Sequence, residues 1–149
     1  MTGLPVAVLG YGYLLGGPNR WLVTQVDTVG QLTVPWADDD PDDPYHVALA
    51  ATTVLAKAQG VDIYQDGTAG LVDRVNALPV QVVTWGLPDE AQLMLSAATT
   101  TTPPTMHAPW SPDGLDFIAM DVQLATALND LGLTPVQAVP RWHLVATTD

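Results

Sequence analysis

The chain has no cysteine, which excludes disulfides and thiolate metal sites. Cations are almost as scarce. One Lys and three Arg stand against fifteen Asp and one Glu, for a formal net charge of −12. Affinity for nucleic acid rests mostly on Lys and Arg neutralising phosphates. Here Arg20, Lys57, Arg74 and Arg141 are scattered singly, so direct nucleic-acid binding is not expected. Anionic membranes are disfavoured for the same reason, and no apolar run approaches the ~18 residues of a membrane span. The first ten residues lack the basic segment of a signal peptide. The expectation is a cytoplasmic protein of its producer or host cell. The Lys-poor, Ala/Val/Thr/Pro/Asp-rich usage suggests a GC-rich genome, an actinobacterium or its phage, and a phage origin would add the virion as a location.

Motifs that name a reaction are also missing. The serines are Ser96 and Ser111, and neither lies in a G-x-S-x-G elbow. His46, His107 and His143 are too far apart for a local metal motif. Glu90 is the single Glu and falls in a Pro-Asp-Glu turn. Residues Val8 to Gly16 run from an apolar stretch into Gly10, Gly12 and Gly16, superficially a dinucleotide fingerprint. That fingerprint needs a helix directly after the glycines to face the pyrophosphate. Gly16-Gly17-Pro18 would break one, and the next segment alternates as a strand. The glycines read instead as a turn or bulge between strands, and no cofactor is expected.

What is present fits one globular domain over residues 1–149, with 48% hydrophobic and 13% charged residues. Leu4 to Leu9 reads as a buried strand, and the glycines after it as a long turn. Arg20–Val26 and Gln31–Trp36 alternate around Asp27–Gly30, predicting an antiparallel hairpin. Asp43 as N-cap, Pro44 at N1 and Gly60 at C′ bound a helix over Tyr45–Gln59. Val61–Tyr64 reads as a short strand, and Thr68 as the cap of a second helix through Leu78. Val80–Trp85 reads as a strand, and Gln92–Thr100 favours one. A Pro/Thr-rich loop covers about 99–112. Leu115–Leu131 carries apolar residues at helical spacing and stops at Gly132; alternatively, Asp121 caps a shorter helix after a strand at Leu115–Met120. Pro135–Val139 and Arg141–Thr147 read as extended. The order predicts an α+β fold: an N-terminal β-hairpin with two or three helices on an antiparallel or mixed sheet.

The candidate functional residues lie in loops. Asp38, Asp39, Asp40 and Asp42 form a carboxylate run that is a weak candidate for a hard cation. The run is contiguous, Pro-interrupted and without a following Glu, so a solvated turn or a surface for a basic partner fits it better. Trp36 beside this run and Trp110 in the Pro-rich loop are the tryptophans expected at the surface, where Trp anchors protein contacts. The set Trp36, Asp38, Asp39, Asp40 and Trp110 is therefore the expected interaction surface. The leading expectation is a non-catalytic interaction, structural or accessory protein that binds a protein partner or assembles with itself. The alternative is a small hydrolase or metal-dependent enzyme whose Asp and His the fold brings together. A carbohydrate- or small-molecule-binding module built on the Trp and Tyr residues is a third.

Overall fold

In a computed structural model the glycine-rich segment, a turn by sequence, lies inside the longest strand. The structure describes residues 5–37, 42–64, 70–87, 90–102 and 116–148. Strand β1 runs over Pro5–Gly17 and lies at the centre of a five-stranded antiparallel sheet. One of its edges pairs with β4 (Gln92–Thr102), from Ala7↔Thr102 to Gly16↔Leu93. Its other edge pairs with β5 (Arg141–Thr148) over Pro5–Gly12 and with the short β2 (Arg20–Trp21) at Gly16–Gly17. Strand β3 (Gln81–Trp85) completes the sheet beside β4. The sheet curls until its edges touch: the Gly86 N–H, just past β3, donates to the Ala146 carbonyl of β5 at 3.0 Å.

The glycines are where they are because β4 presses on β1. A Cβ on Gly12 would stand 1.8 Å from the Leu95 carbonyl oxygen. One on Gly10 would stand 2.6 Å from Met94 Cε and 2.8 Å from Ser96 Oγ, so those side chains occupy the space it leaves. The β1–β4 register slips at Tyr11/Gly12 and again at Leu14/Gly16, the marks of bulges that bend a strand. Expecting a bulge here was right; ending the strand here was not. The chain turns only at Pro18-Asn19.

Alternation along β1 and β4 gives the sheet two apolar faces. Tyr11, Leu15, Leu93 and Leu95 belong to the main core beneath the helices, and Val8, Met94 and Val145 form a small core on the other face. Trp85 packs against the small core, and its buried indole N–H has no hydrogen-bond partner among the described residues.

Two helices cover the main core, and a shorter one between them in the chain packs around a separate cluster of Ala56, Ile63 and Leu78. Helix α1 (Pro44–Ala58) starts as its sequence predicts, with the Asp43 side chain accepting from the Tyr45 N–H at 3.0 Å. It buries Val47, Ala48, Ala51 and Leu55. Helix α2 (Leu71–Asn76) is shorter than the predicted one, and Thr68 lies outside the described residues. Helix α3 (Phe117–Leu131) is capped by Asp116, which accepts from the Ala119 N–H, and ends at Gly132 with φ 68°. The alternative with Asp121 as cap fails, because α3 is already helical at Phe117.

Two strand expectations are overturned. Residues 20–36 reverse direction at Asp27–Gly30, but the full hairpin does not form. The Thr24 N–H donates to the Thr134 carbonyl and the Val136 N–H to the Leu22 carbonyl, so this segment pairs with the chain after α3. Only the isolated bridge Val26↔Leu32 remains of the hairpin ladder. Val61–Tyr64 is a turn: Asp62 Oδ1 accepts from the Tyr64 N–H, and Arg74 donates twice to the Ile63 carbonyl. The α+β class stands, with a wholly antiparallel sheet.

Gly12→Ala is expected to destabilise the protein by more than about 3 kcal/mol, because a backbone oxygen rather than a flexible side chain must yield. Gly60→Ala, where nothing lies within 4 Å and only the positive φ is penalised, should cost about 1 kcal/mol. Urea melts of the two variants give the comparison.

Candidate functional site

Of the expected interaction surface, Asp38, Asp39, Asp40 and Trp110 lie outside the described residues. Asp42 is exposed, next to the capping Asp43. Trp36 lies in a 3-10 turn, Pro35–Ala37. It is half-buried against the main core, and its indole N–H donates to the Leu131 carbonyl at 2.8 Å. It thus satisfies one of the orphan carbonyls at the end of α3. Its exposed placement is the expectation the structure corrects, because closing that helix end draws the ring inward.

Among the described residues the catalytic candidates sit on different elements. His46 is on α1 and His143 on β5, while His107 and Ser111 lie outside the described residues. Ser96 is buried, and its hydroxyl donates to the Tyr11 carbonyl at 3.4 Å. No three of His, Cys, Asp and Glu come together as a metal site among the described residues.

Two polar clusters do form. The Tyr11 hydroxyl donates to Asp121 Oδ1 at 2.7 Å, tying β1 to α3. Burial first, and then this bond, push the Tyr11 phenol up to about 12. Burial and the negative field of Asp121 also raise Tyr13. Around Tyr11, the rings of Phe117 and Trp142 stand with centroids 5.2 to 6.2 Å apart. These are packing distances, so the rings fill one another's space and leave no cage for a cation.

In the second cluster the Gln137 side chain takes the place of a strand. Its Nε2 donates to the Gly12 carbonyl at 2.9 Å, and its Oε1 accepts from the Leu14 N–H at 3.1 Å. These backbone groups lie at and beyond the last β5 pairing, Gly12↔Arg141. The same Oε1 lies 3.0 Å from His143 Nε2. Burial lowers the pKa of His143; the Gly12 backbone partly opposes this, and the charge of Arg141 adds to it.

The concave feature of the helical layer is a cleft of about 220 Å³ between α1, α3 and the chain entering β3. Leu55, Leu78, Val80 and Ala127 give it apolar walls, with Gln59, Gln123 and Asp130 among its polar groups. Val122 lines it too, although 61% exposed, and one turn earlier Ile118 is 80% exposed. Phe117 borders this stripe, and Leu144 is 71% exposed on β5. The sequence carried a signal for the stripe: Ile118 and Val122 are an i, i+4 apolar pair off the face that places Leu124 and Leu131 in the core. No helix among the described residues is long and apolar enough to cross a membrane.

No family model, curated protein or solved structure matches this chain.

Both polar clusters make the fold sensitive to pH. The raised Tyr11 value contributes stability that is fully present below the ordinary 10.0 and lost as pH rises through about 12. An ultraviolet titration should show this tyrosine ionising near 12. In Asp121→Asn it should ionise earlier but still above 10.0, because burial is the larger cause. The lowered His143 value works in the opposite range. Its contribution is present above the ordinary 6.5 and is lost as pH falls through the folded-state value, as the unfolded chain takes up the proton first. Denaturant melts should show a shallower loss of stability below pH 6.5 in His143→Gln than in the parent protein.

Proposed function

We propose that this chain is a non-catalytic interaction or accessory protein that binds another polypeptide through the exposed face of α3. The observation carrying this reading is the solvent-facing stripe of Ile118 and Val122 beside an open cleft. Single exposed apolar residues are ordinary on any surface. A stripe that continues into a cleft is a recognisable contact site, since burying an Ile or Val side chain is worth roughly 1.5–3 kcal/mol.

The charge supports the same reading. A net charge of −12 draws a basic partner over distance and repels other acidic proteins. Assembly with further copies is a variant of the reading, in which the same stripe forms the contact. The Lys-poor composition fits a GC-rich bacterium or its phage, with the protein acting in the cytoplasm or the virion. The alternative of an Asp/His-dependent enzyme has no convergent set of residues to rest on among those described.

The test is a photo-crosslinking amino acid placed at Ile118, at Val122 and, as a control, at the exposed Lys57, in cells that make the protein. An adduct of defined mass is expected from the two α3 positions and not from Lys57. If neither α3 position gives an adduct, the reading fails.

A further inference from the structure

The cleft has an electrostatic sign as well as a shape. Helix α1 ends at its rim, where Gln59 is the C-cap, and Asp130 stands in the last turn of α3. Helix C-termini are negative poles, so a carboxylate in a last turn is destabilising for its own helix and a cation there is favourable. Lys57 stands in the last turn of α1, but no basic residue stands in the last turn of α3, and none lines the cleft. No hydrogen bond or ion pair holds the half-buried Asp130 among the described residues. One end of an apolar cleft thus carries a carboxylate and the end of a helix, α3, with no cation of its own to offset it.

We propose that the cleft receives one face of an amphipathic helix from a protein partner. The partner's apolar residues cover Ile118, Val122 and the cleft walls, and a Lys or Arg pairs with Asp130. This rests on the interaction reading above and names the chemistry of the partner. Two observations select a helix over a small amine. The apolar stripe extends beyond the cleft to Ile118, which an occupant of about 220 Å³ would leave bare. The spacing also suits a helix that crosses α3 obliquely: Ile118 and Val122 lie about 6 Å apart along α3, and Asp130 about 12 Å further on and about 80° around its axis, toward the cleft. A helix laid in that way meets these with apolar residues one turn apart and a cation about two turns beyond. The amides of Gln59 and Gln123 are placed to bond polar groups at its margin.

The test uses the purified chain with isotope-labelled methyl groups and three probes. One is a synthetic helical peptide of about four turns with two Leu one turn apart and a Lys about two turns further on. The second carries Glu in place of that Lys, and the third is hexylammonium ion. The Lys peptide is expected to shift the methyl signals of Leu55, Leu78, Val80 and Val122. The Glu peptide should bind at least about tenfold more weakly, since like charges would be juxtaposed.

Asp130→Asn should weaken the Lys peptide about two- to fivefold, the scale of a partly exposed ion pair. Because the carboxylate opposes its own helix dipole, this variant is expected to fold normally. Val122→Asp, at an exposed position, should abolish the shifts. Equal binding of the Lys and Glu peptides, shifts away from the cleft, or hexylammonium binding as tightly as the peptide would each overturn the proposal. So would the absence of any shift. If crosslinks at Ile118 persist in that last case, the partner chemistry falls while the interaction reading stands; if they are absent too, both fall.

Discussion

The close approach of β4 to β1 at Gly10 and Gly12 is the constraint on which the rest of the structure depends. With no Cβ at either position, the Leu95 carbonyl comes closer to Gly12 than any other residue would allow, and the Met94 and Ser96 side chains fill the space beside Gly10. The bulges there bend β1, and the bend curls the sheet until the ends of β3 and β5 meet. Curling closes one face of the sheet over Val8, Met94 and Val145 and opens the other to the helices. It also carries Gly12 and Leu14 past the end of β5, where the amide side chain of Gln137 completes the missing pairing. A buried backbone group left unpaired costs about 1–3 kcal/mol, so this substitution is structural rather than incidental.

The helical layer is held to that sheet by few but specific contacts. Asp43 and Asp116 cap α1 and α3 at their N-termini, where a carboxylate complements the helix dipole. Trp36 closes the far end of α3, and Asp121 ties its first half to Tyr11. These contacts fix the rotation of α3, and with it which residues face outward. Ile118 and Val122 face solvent because Met120, Leu124, Ala127 and Leu131 occupy the inward face. The exposure of the stripe is thus a consequence of how the helix is anchored. Asp130 departs from the pattern, a carboxylate at the wrong pole of its helix.

The legible parts of this fold were those whose signals are local. Asp43-Pro44 and Gly60 bound α1 in the sequence as they do in the structure, and Gly132 stops α3. Gln81–Trp85 needed only its own apolar run to read as a strand. The parts that misled are those where a distant partner decides. Nothing near Gly10 says that β4 will fill its empty side, so a strand interior reads as a turn. Residues 22–24 alternate well enough for a hairpin, yet their backbone groups bond residues 134 and 136, and the hairpin ladder stops at Val26↔Leu32. The candidate surface follows the same rule. Trp36 had the profile of an exposed anchor until a carbonyl about a hundred residues away claimed its N–H. Ile118 and Val122 were visible only as a pair out of phase with the core face, and Gln137 gave no signal at all.

Charge and apolar exposure together narrow what can meet α3. Exposed apolar residues on a neutral protein would invite many partners, including copies of itself. Here any approaching copy also carries a net charge of −12, and within a Debye length of about 8–10 Å that repulsion is only partly screened. Apolar attraction at the stripe is sequence-tolerant; the charge is not. Repelling the wrong partner is as much a source of specificity as attracting the right one. Some of the acidic residues serve the fold, Asp43 and Asp116 as helix caps, Asp27 and Asp62 in turns and Asp121 in the tie to Tyr11; in the proposed reading the surplus also turns an adhesive stripe into a selective one. In that reading the charge disfavours acidic chains and makes assembly with like copies the weaker variant, and a basic, amphipathic partner is the one for which both terms are favourable.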